Sequence, residues 1–302
     1  MAVRQRTALV TGASTGIGQS TAFRLVTAGW VVFAGVRTDG DGQTLLDLNR
    51  EAGSSRNGGD LVPLLLDVAD AGSIKRAIDR VGARVGQDGL DLLVNNAGIA
   101  VGGPLEYLAA DDWRRAFDVN FFGVVDVTRS ALPMLRLASD PRVVMVGSIN
   151  SRVGVPLLGP YVATKHALAG LVACLRRELA PDGPLVSLVE PGAVKTPLWA
   201  KASEEIDRVE AALPEAGRSR YGRFIAAQRV ALADGHQQGV EADLIAELIE
   251  SIANAKTPRA RYLVGRDAQV AGWANRLLPD RAMEWLAARL TDRALAAEQK
   301  QD

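Results

Sequence analysis

The chain has 302 residues, 48% of them hydrophobic and 23% charged, enough to bury one large core or two small ones. Its 35 basic residues balance 35 acidic ones, which removes the electrostatic case for a nucleic-acid partner. Cys174 is the only cysteine and His166 and His236 are the only histidines, so one chain assembles neither a disulfide framework nor a Cys/His zinc cluster, and no metal site is expected.

The opening MAVRQRTALVTG lacks the apolar stretch of a signal peptide. No later run approaches the ~20 apolar residues of a membrane span, so a cytoplasmic protein without a span is expected. Short β-branched or aliphatic runs then recur: TALVTG, WVVFAGV, LVPLLLDV, LDLLVNNAG, RVVMVGS, LVSLVEPG and RYLVG. Their near-continuous apolarity suits strands covered on both faces. Helical spacing fills 18–28, 73–85, 111–137 and 161–179 between them, and this alternation predicts an α/β fold, a doubly wound seven-stranded parallel sheet flanked by helices on both faces. No linker or repeat interrupts it, so one domain is expected over 1–302, with a core at about 5–265. The polar, Ala/Glu/Arg-rich stretch at about 198–238 is longer than a crossover needs and predicts a helical lid. A helical tail is expected at about 268–302. Its Trp273, Leu277, Trp285 and Leu286 among arginines suit packing on the domain, a partner subunit or a membrane surface.

The first run enters TGASTGIG, a glycine turn between strand and helix. Such a turn permits positive φ and close backbone approach, and the helix N-terminus directs free N–H groups toward a pyrophosphate. Gly12, Ser14, Thr15, Gly16, Ile17 and Gly18 are therefore candidate cofactor contacts, although the spacing departs from GxGxxG and a tight turn alone also uses glycines. At the end of the second run, FAGVRT carries Arg37 and no acid before Asp39. A carboxylate there would select the ribose hydroxyl of NAD, whereas an arginine pairs with the 2′-phosphate of NADP. NADP(H) is favoured over NAD(H), unless Arg37 is simply a solvated surface residue.

Tyr161 and Lys165 in YVATK stand four apart and share one helix face. A cation beside a phenol lowers its pKa toward neutral, as proton transfer to a carbonyl oxygen needs. Ser148 ends the RVVMVG strand at the carboxyl edge where open parallel sheets bind ligands, and serves either to hold a substrate oxygen or as a cap. Asn95 to Gly98, NNAG, follows another strand at the same edge. Asn120 lies within a helical stretch it does not favour, which calls for a cap, a kink or a function. His166 turns about 100° away from Lys165, and Cys174 in LVACL reads as a small buried hydrophobe.

These motifs, with Asp67 after the third strand and PGAVKT at 191–196, resemble the short-chain dehydrogenase/reductase family in its single-domain form, in order and spacing, over about 5–265. The resemblance implies hydride transfer between NADP(H) and a carbonyl or alcohol. Ser148 would orient the oxygen, Tyr161 would supply the proton, Lys165 would bind the nicotinamide ribose and Asn120 would hold a relay water. It further implies Asp67 and Val68 against the adenine, Asn95, Ala97 and Gly98 along the cofactor, and Pro191, Gly192, Val194 and Thr196 near the carboxamide. LGPYVATKHALAGLVACLRRELAP, VEPGAVKTPLW and RYLVG are similar to the subgroup with 17β-hydroxysteroid and retinol dehydrogenases. A lipophilic, steroid-like or retinoid-like alcohol or ketone follows, with contacts from Ile149, Val153, Val155, Ala193 and the lid. A homodimer or homotetramer through the helices at 113–137 and 161–179 is implied as well. A non-catalytic NADP(H)-binding regulator, or the same chemistry with NAD(H) on another small carbonyl substrate, is the alternative reading.

Overall fold

The computed structural model describes residues 4–180 and 182–298. The first three residues and the last four of the expected tail lie outside the described residues. In chain order the strands are β1 (Thr7–Val10), β2 (Val31–Val36), β3 (Asp60–Leu65), β4 (Leu92–Asn95), β5 (Arg142–Val146), β6 (Leu185–Pro191), β7 (Val194–Lys195), β8 (Val240–Glu241) and β9 (Arg261–Val264). All seven apolar runs enter one parallel sheet, in the order β3-β2-β1-β4-β5-β6-β9. Two-residue β7 and β8 pair separately, a bracket too short for the sequence pattern to reveal.

The helices are α1 (Gly16–Thr27), α2 (Asp39–Ala52), α3 (Ala71–Val85), α4 (Ala110–Phe117), α5 (Gly123–Leu135), α6 (Gly159–Glu178), α7 (Leu198–Ala212), α8 (Glu215–Gln238), α9 (Ala242–Asn254), α10 (Arg266–Leu277) and α11 (Asp280–Glu298). Alternating strand residues feed opposite cores, which is why the runs are apolar at every position. Ala8 and Val10 meet Leu25 of α1 and Ile245 and Ile249 of α9. Leu9 points the other way, into a cluster with Ile74 of α3, Val127 of α5 and Leu168 of α6. Helix α2 is not among the helices singled out from sequence, since its buried stripe is only Gly42, Leu45 and Asn49.

Strand β1 lies between β2 and β4, so the chain leaves it in one direction along the sheet and later returns to its other side. Such a reversal opens a crevice at the carboxyl edge. Cys174 departs from expectation: it is exposed. Buried positions on α6 are Pro160, Thr164, Lys165, Leu168 and Val172, and two residues beyond the last of them the helix has turned by about 200°. Helices α10 and α11 leave Trp273, Leu277, Trp285 and Leu290 largely exposed. Among the described residues no helix is long and apolar enough to cross a membrane.

Candidate active site

The crevice begins where β1 enters the glycine turn. Gly12 has φ +63°, and a Cβ there would stand 2.8 Å from Ala97 Cα, so glycine lets the turn touch the segment after β4. A Cβ on Gly18 would meet the Gly12 carbonyl oxygen at 2.2 Å, which closes the turn onto α1. Thr11 is the local hub: its hydroxyl accepts from the amides of Asn96 and Ala97, both at 3.0 Å. Asn96 Nδ2 in turn donates to the Thr11 and Gly12 carbonyls at 3.0 Å each. Thr15, the N-cap of α1, makes no side-chain cap, so the first N–H groups of that helix keep no side-chain acceptor. A cradle that admits no side chain, facing a helix N-terminus of uncapped donors, fits a pyrophosphate.

Of the NNAG asparagines, sequence reasoning singled out Asn95, whose Nδ2 donates instead to Thr128 Oγ1 of α5 at 2.9 Å, behind the sheet. Asn96 is the one that holds the turn, because adjacent residues leaving a strand face opposite sides. Ser14 sits within the turn, and its carbonyl accepts from Gln19 Nε2 at 3.4 Å. Arg37 follows β2, exposed, and belongs to none of the ion pairs among the described residues. Asp67 is tied to its own loop, Oδ1 accepting from the Ala69 amide at 2.9 Å, with Val68 buried beside it.

Ser148 ends the β5 edge as the cap of a short 3₁₀ turn, its hydroxyl accepting from the Asn150 amide at 3.1 Å. Capping and exposure to the crevice coexist here, since Ser148 also lines the cavity described below. Tyr161 and Lys165 lie one turn apart on α6, with Nζ 5.6 Å from the ring centroid. Nζ donates to the Val146 carbonyl at 3.0 Å. Burial pushes Lys165 down to about 8. Burial also pushes the Tyr161 phenol above its ordinary value, while its hydrogen bond with the Ser148 hydroxyl pulls the other way. The lowering expected from Lys165 is therefore not realised: the cation is aimed at a backbone carbonyl, and desolvation of the phenol dominates.

The expected helix at 111–137 breaks into α4 and α5 around a single π-helical turn, Asp118–Phe122, with Asn120 buried inside it. Such turns recur at functional sites. Asn120 Oδ1 accepts from the Ile99 amide at 2.8 Å, and Nδ2 donates to the Ile99 carbonyl at 2.9 Å and Thr164 Oγ1 at 3.2 Å. A Cβ on Gly98 would stand 3.3 Å from Asn120 Oδ1 and 3.9 Å from Lys165 Nζ, so glycine lets this segment approach Asn120 closely.

A cavity of about 330 Å³ opens against Ser148 and Tyr161. Pro191, Gly192, Ala193, Val194 and Thr196 form one wall, Ile17 adjoins it, and Ile149 and Val155 form another. Val153 does not line it, because the 3₁₀ turn carries the chain past: its carbonyl accepts from Asn150 Nδ2 at 3.2 Å. The stretch at 198–238 forms α7 and α8, whose Trp199, Ile206, Val209, Ile225 and Leu232 close the cavity. Sequence reasoning did not single out Trp199, whose indole donates to the Val194 carbonyl at 2.6 Å. Nor did it find Leu157, a lining residue held at φ +66° with its carbonyl accepting from the Gly103 amide at 2.6 Å. Positive φ in a γ-branched residue is uncommon and has no sequence signature.

Residues 6–207 match the family model described as short chain dehydrogenase. The NADPH-dependent 3-dehydrocapnine reductase of Ornithobacterium rhinotracheale is 30% identical over 283 residues, 92% of this chain and 95% of that protein. Retinol dehydrogenase 5 of Mus musculus is 33% identical over 283 residues, 91% of this chain and 85% of the relative. Among solved structures, a short chain dehydrogenase/reductase from Burkholderia phymatum in complex with NAD superposes with a TM-score of 0.73 at 26% identity, covering 92% of this chain and 94% of that one.

Proposed function

The chain belongs to the short-chain dehydrogenase family and is an NAD(P)-dependent oxidoreductase, and on that premise we propose that it moves a hydride between NADP(H) and a lipophilic alcohol or ketone, with Tyr161 as general acid and base. The observation that carries this reading is the convergence of the Ser148 hydroxyl and the Tyr161 phenol on the wall of a largely apolar cavity of about 330 Å³. That volume lies within the range of small-molecule sites, in which a few polar groups fix orientation.

A reduced nicotinamide held in the crevice would supply the hydride. Ser148 donates its hydroxyl hydrogen to the substrate oxygen and holds it beside the phenol. Tyr161 delivers its proton to that oxygen as charge develops there, and takes a proton back in the reverse direction. Its burial favours the protonated phenol at neutral pH, which suits the donor role in reduction. Lys165 would hold the nicotinamide ribose. Asn120, as the resemblance to the family implies, would stand beside a water that returns the proton to the phenol. Gly12, Ser14, Thr15, Gly16, Ile17 and Gly18 would hold the pyrophosphate, and Asp67, Val68, Ala97 and Gly98 would line the dinucleotide further along.

Arg37, exposed at the end of β2 and without an ion-pair partner among the described residues, supports NADP(H), as does the NADPH dependence in the name of the Ornithobacterium relative. Similarity to retinol dehydrogenase 5, together with the apolar faces of α7 and α8, supports a retinoid-like or steroid-like substrate. The exposed Phe122, at 52%, beside α5 fits assembly into a homodimer or homotetramer, which light scattering would measure. The deciding test screens lipophilic ketones with NADPH and NADH in wild type, Arg37→Ala and Tyr161→Phe. Tyr161→Phe should keep dinucleotide affinity and lose turnover by about 10²–10⁴-fold, the span of general acid catalysis. Near-normal turnover in that variant refutes the mechanism, and equal affinity for both dinucleotides refutes the role of Arg37.

A further inference from the structure

We propose that Asp267, in the first turn of α10, is a positioning residue for the active-site loop at 191–196, so that the C-terminal helices form part of the functional unit. Asp267 Oδ2 accepts from the Ala193 amide at 2.7 Å. Residue 193 lies 74 positions earlier in the chain and lines the substrate cavity, as does Asp267 itself. Two glycines make room for this carboxylate. A Cβ on Gly192 would fall 2.0 Å from Oδ2, and one on Gly265, already at φ +99°, would fall 2.5 Å from Oδ1. The Gly192 amide also donates to the Val264 carbonyl at 2.9 Å, which fastens the loop to the end of β9.

The contact is directional. The loop has left the sheet at Pro191, so the Ala193 amide has no strand partner, and an ionised carboxylate is the strongest acceptor available for it. The helix N-terminus stabilises that carboxylate where it stands. Ala193, Val194 and Thr196 thereby hold one position against the cavity, with the Val194 carbonyl secured from the far side by Trp199. The inference rests on the functional reading above only for its kinetic consequence.

Hydrogen–deuterium exchange over 190–196 and calorimetric affinity for NADPH test it in the full chain. Asp267→Ala should speed exchange at the Ala193 amide and weaken NADPH binding about tenfold, the size of one lost charge-assisted hydrogen bond. Asp267→Asn keeps an acceptor oxygen without the charge and should restore both in part. Unchanged exchange and affinity in Asp267→Ala, or Asp267→Asn as impaired as Asp267→Ala, overturns the proposal. Should Asp267→Ala fail to fold, Gly192→Ala evicts the carboxylate instead, and wild-type exchange in that variant overturns it equally. A wild type that binds NADPH and reduces no carbonyl would defeat the functional reading while leaving the exchange result to decide this one.

Discussion

The Lys165 ammonium donates to the Val146 carbonyl across 3.0 Å, so the cation of the candidate site is held by the last residue of β5 and, among the described residues, by no carboxylate. Lys165 is 5% exposed, and burial takes it from an ordinary 10.5 to about 8. Between those values the unfolded chain binds the extra proton, so stability rises with pH across that window, and the cost of the buried charge is fully present below about pH 8. The difference in unfolding free energy between wild type and Lys165→Met, measured in urea, should move in favour of wild type by on the order of 2–3 kcal/mol from about pH 7 to about pH 10. A difference that stays flat with pH contradicts the burial of a titrating ammonium.

Asn120 occupies its amide on both backbone groups of Ile99, at 2.8 and 2.9 Å, across the π-helical turn. Truncation to alanine strands a part-buried N–H and C=O together. Each unsatisfied group costs about 1–3 kcal/mol, so Asn120→Ala should lose about 2–6 kcal/mol in urea denaturation. An unfolding free energy within about 0.5 kcal/mol of wild type would mean that the surface substitution range applies and that the turn does not depend on this side chain.

These two residues also show what the sequence made legible. Tyr161 and Lys165 stand one helical turn apart, a purely local relation that spacing alone conveys. Asn120 was visible as a misfit, a helix-breaking amide in a helical stretch, although nothing local says that the misfit resolves as a π turn. The seven strands were legible because both sheet faces are covered and every position must be apolar. What escaped depends on distant partners: Asn96 acts through Thr11, and Asp267 acts through Ala193. Leu157 escaped because its φ is imposed by the packed loop at Gly103 and not by its own residue type.

The faces of α7 and α8 wall the cavity opposite the catalytic strand edge, with Ile206, Val209 and Ile225 among the lining residues. Val209 already stands 3.1 Å from the point a side chain on Gly103 would occupy, so little slack remains there. Val209→Trp should therefore raise KM for a long lipophilic ketone by about tenfold or more, since a single methylene in an apolar pocket alters specificity by about 10–200-fold. A short ketone turned over by the same enzyme should keep its KM within about twofold, as it does not reach the far wall. Equal effects on both substrates would place the long substrate elsewhere.

Glu190, at the end of β6, is fully buried and takes a guanidinium on each side. Arg152 donates from Nε to both oxygens at 3.1 Å and from Nη2 to Oε2 at 2.7 Å, and Arg261 donates from Nε to Oε2 at 2.9 Å and from Nη2 to Oε1. Removing one partner of a buried ionic cluster costs about 3–5 kcal/mol because the remaining charges lose their compensation. The Arg152 and Arg261 side chains retain 24% and 35% exposure, so water relieves them in part, and Glu190→Ala should fall near the lower end of that range. Replacing all three residues together by apolar side chains of similar length removes every stranded charge and should recover much of the loss. Arg152 follows the 3₁₀ turn capped by Ser148, so Glu190→Ala should also lower kcat more than it raises KM for the dinucleotide. A loss below about 1 kcal/mol in urea, the size of an exposed pair, would show that the cluster is solvated in solution and does not anchor the Ser148 turn.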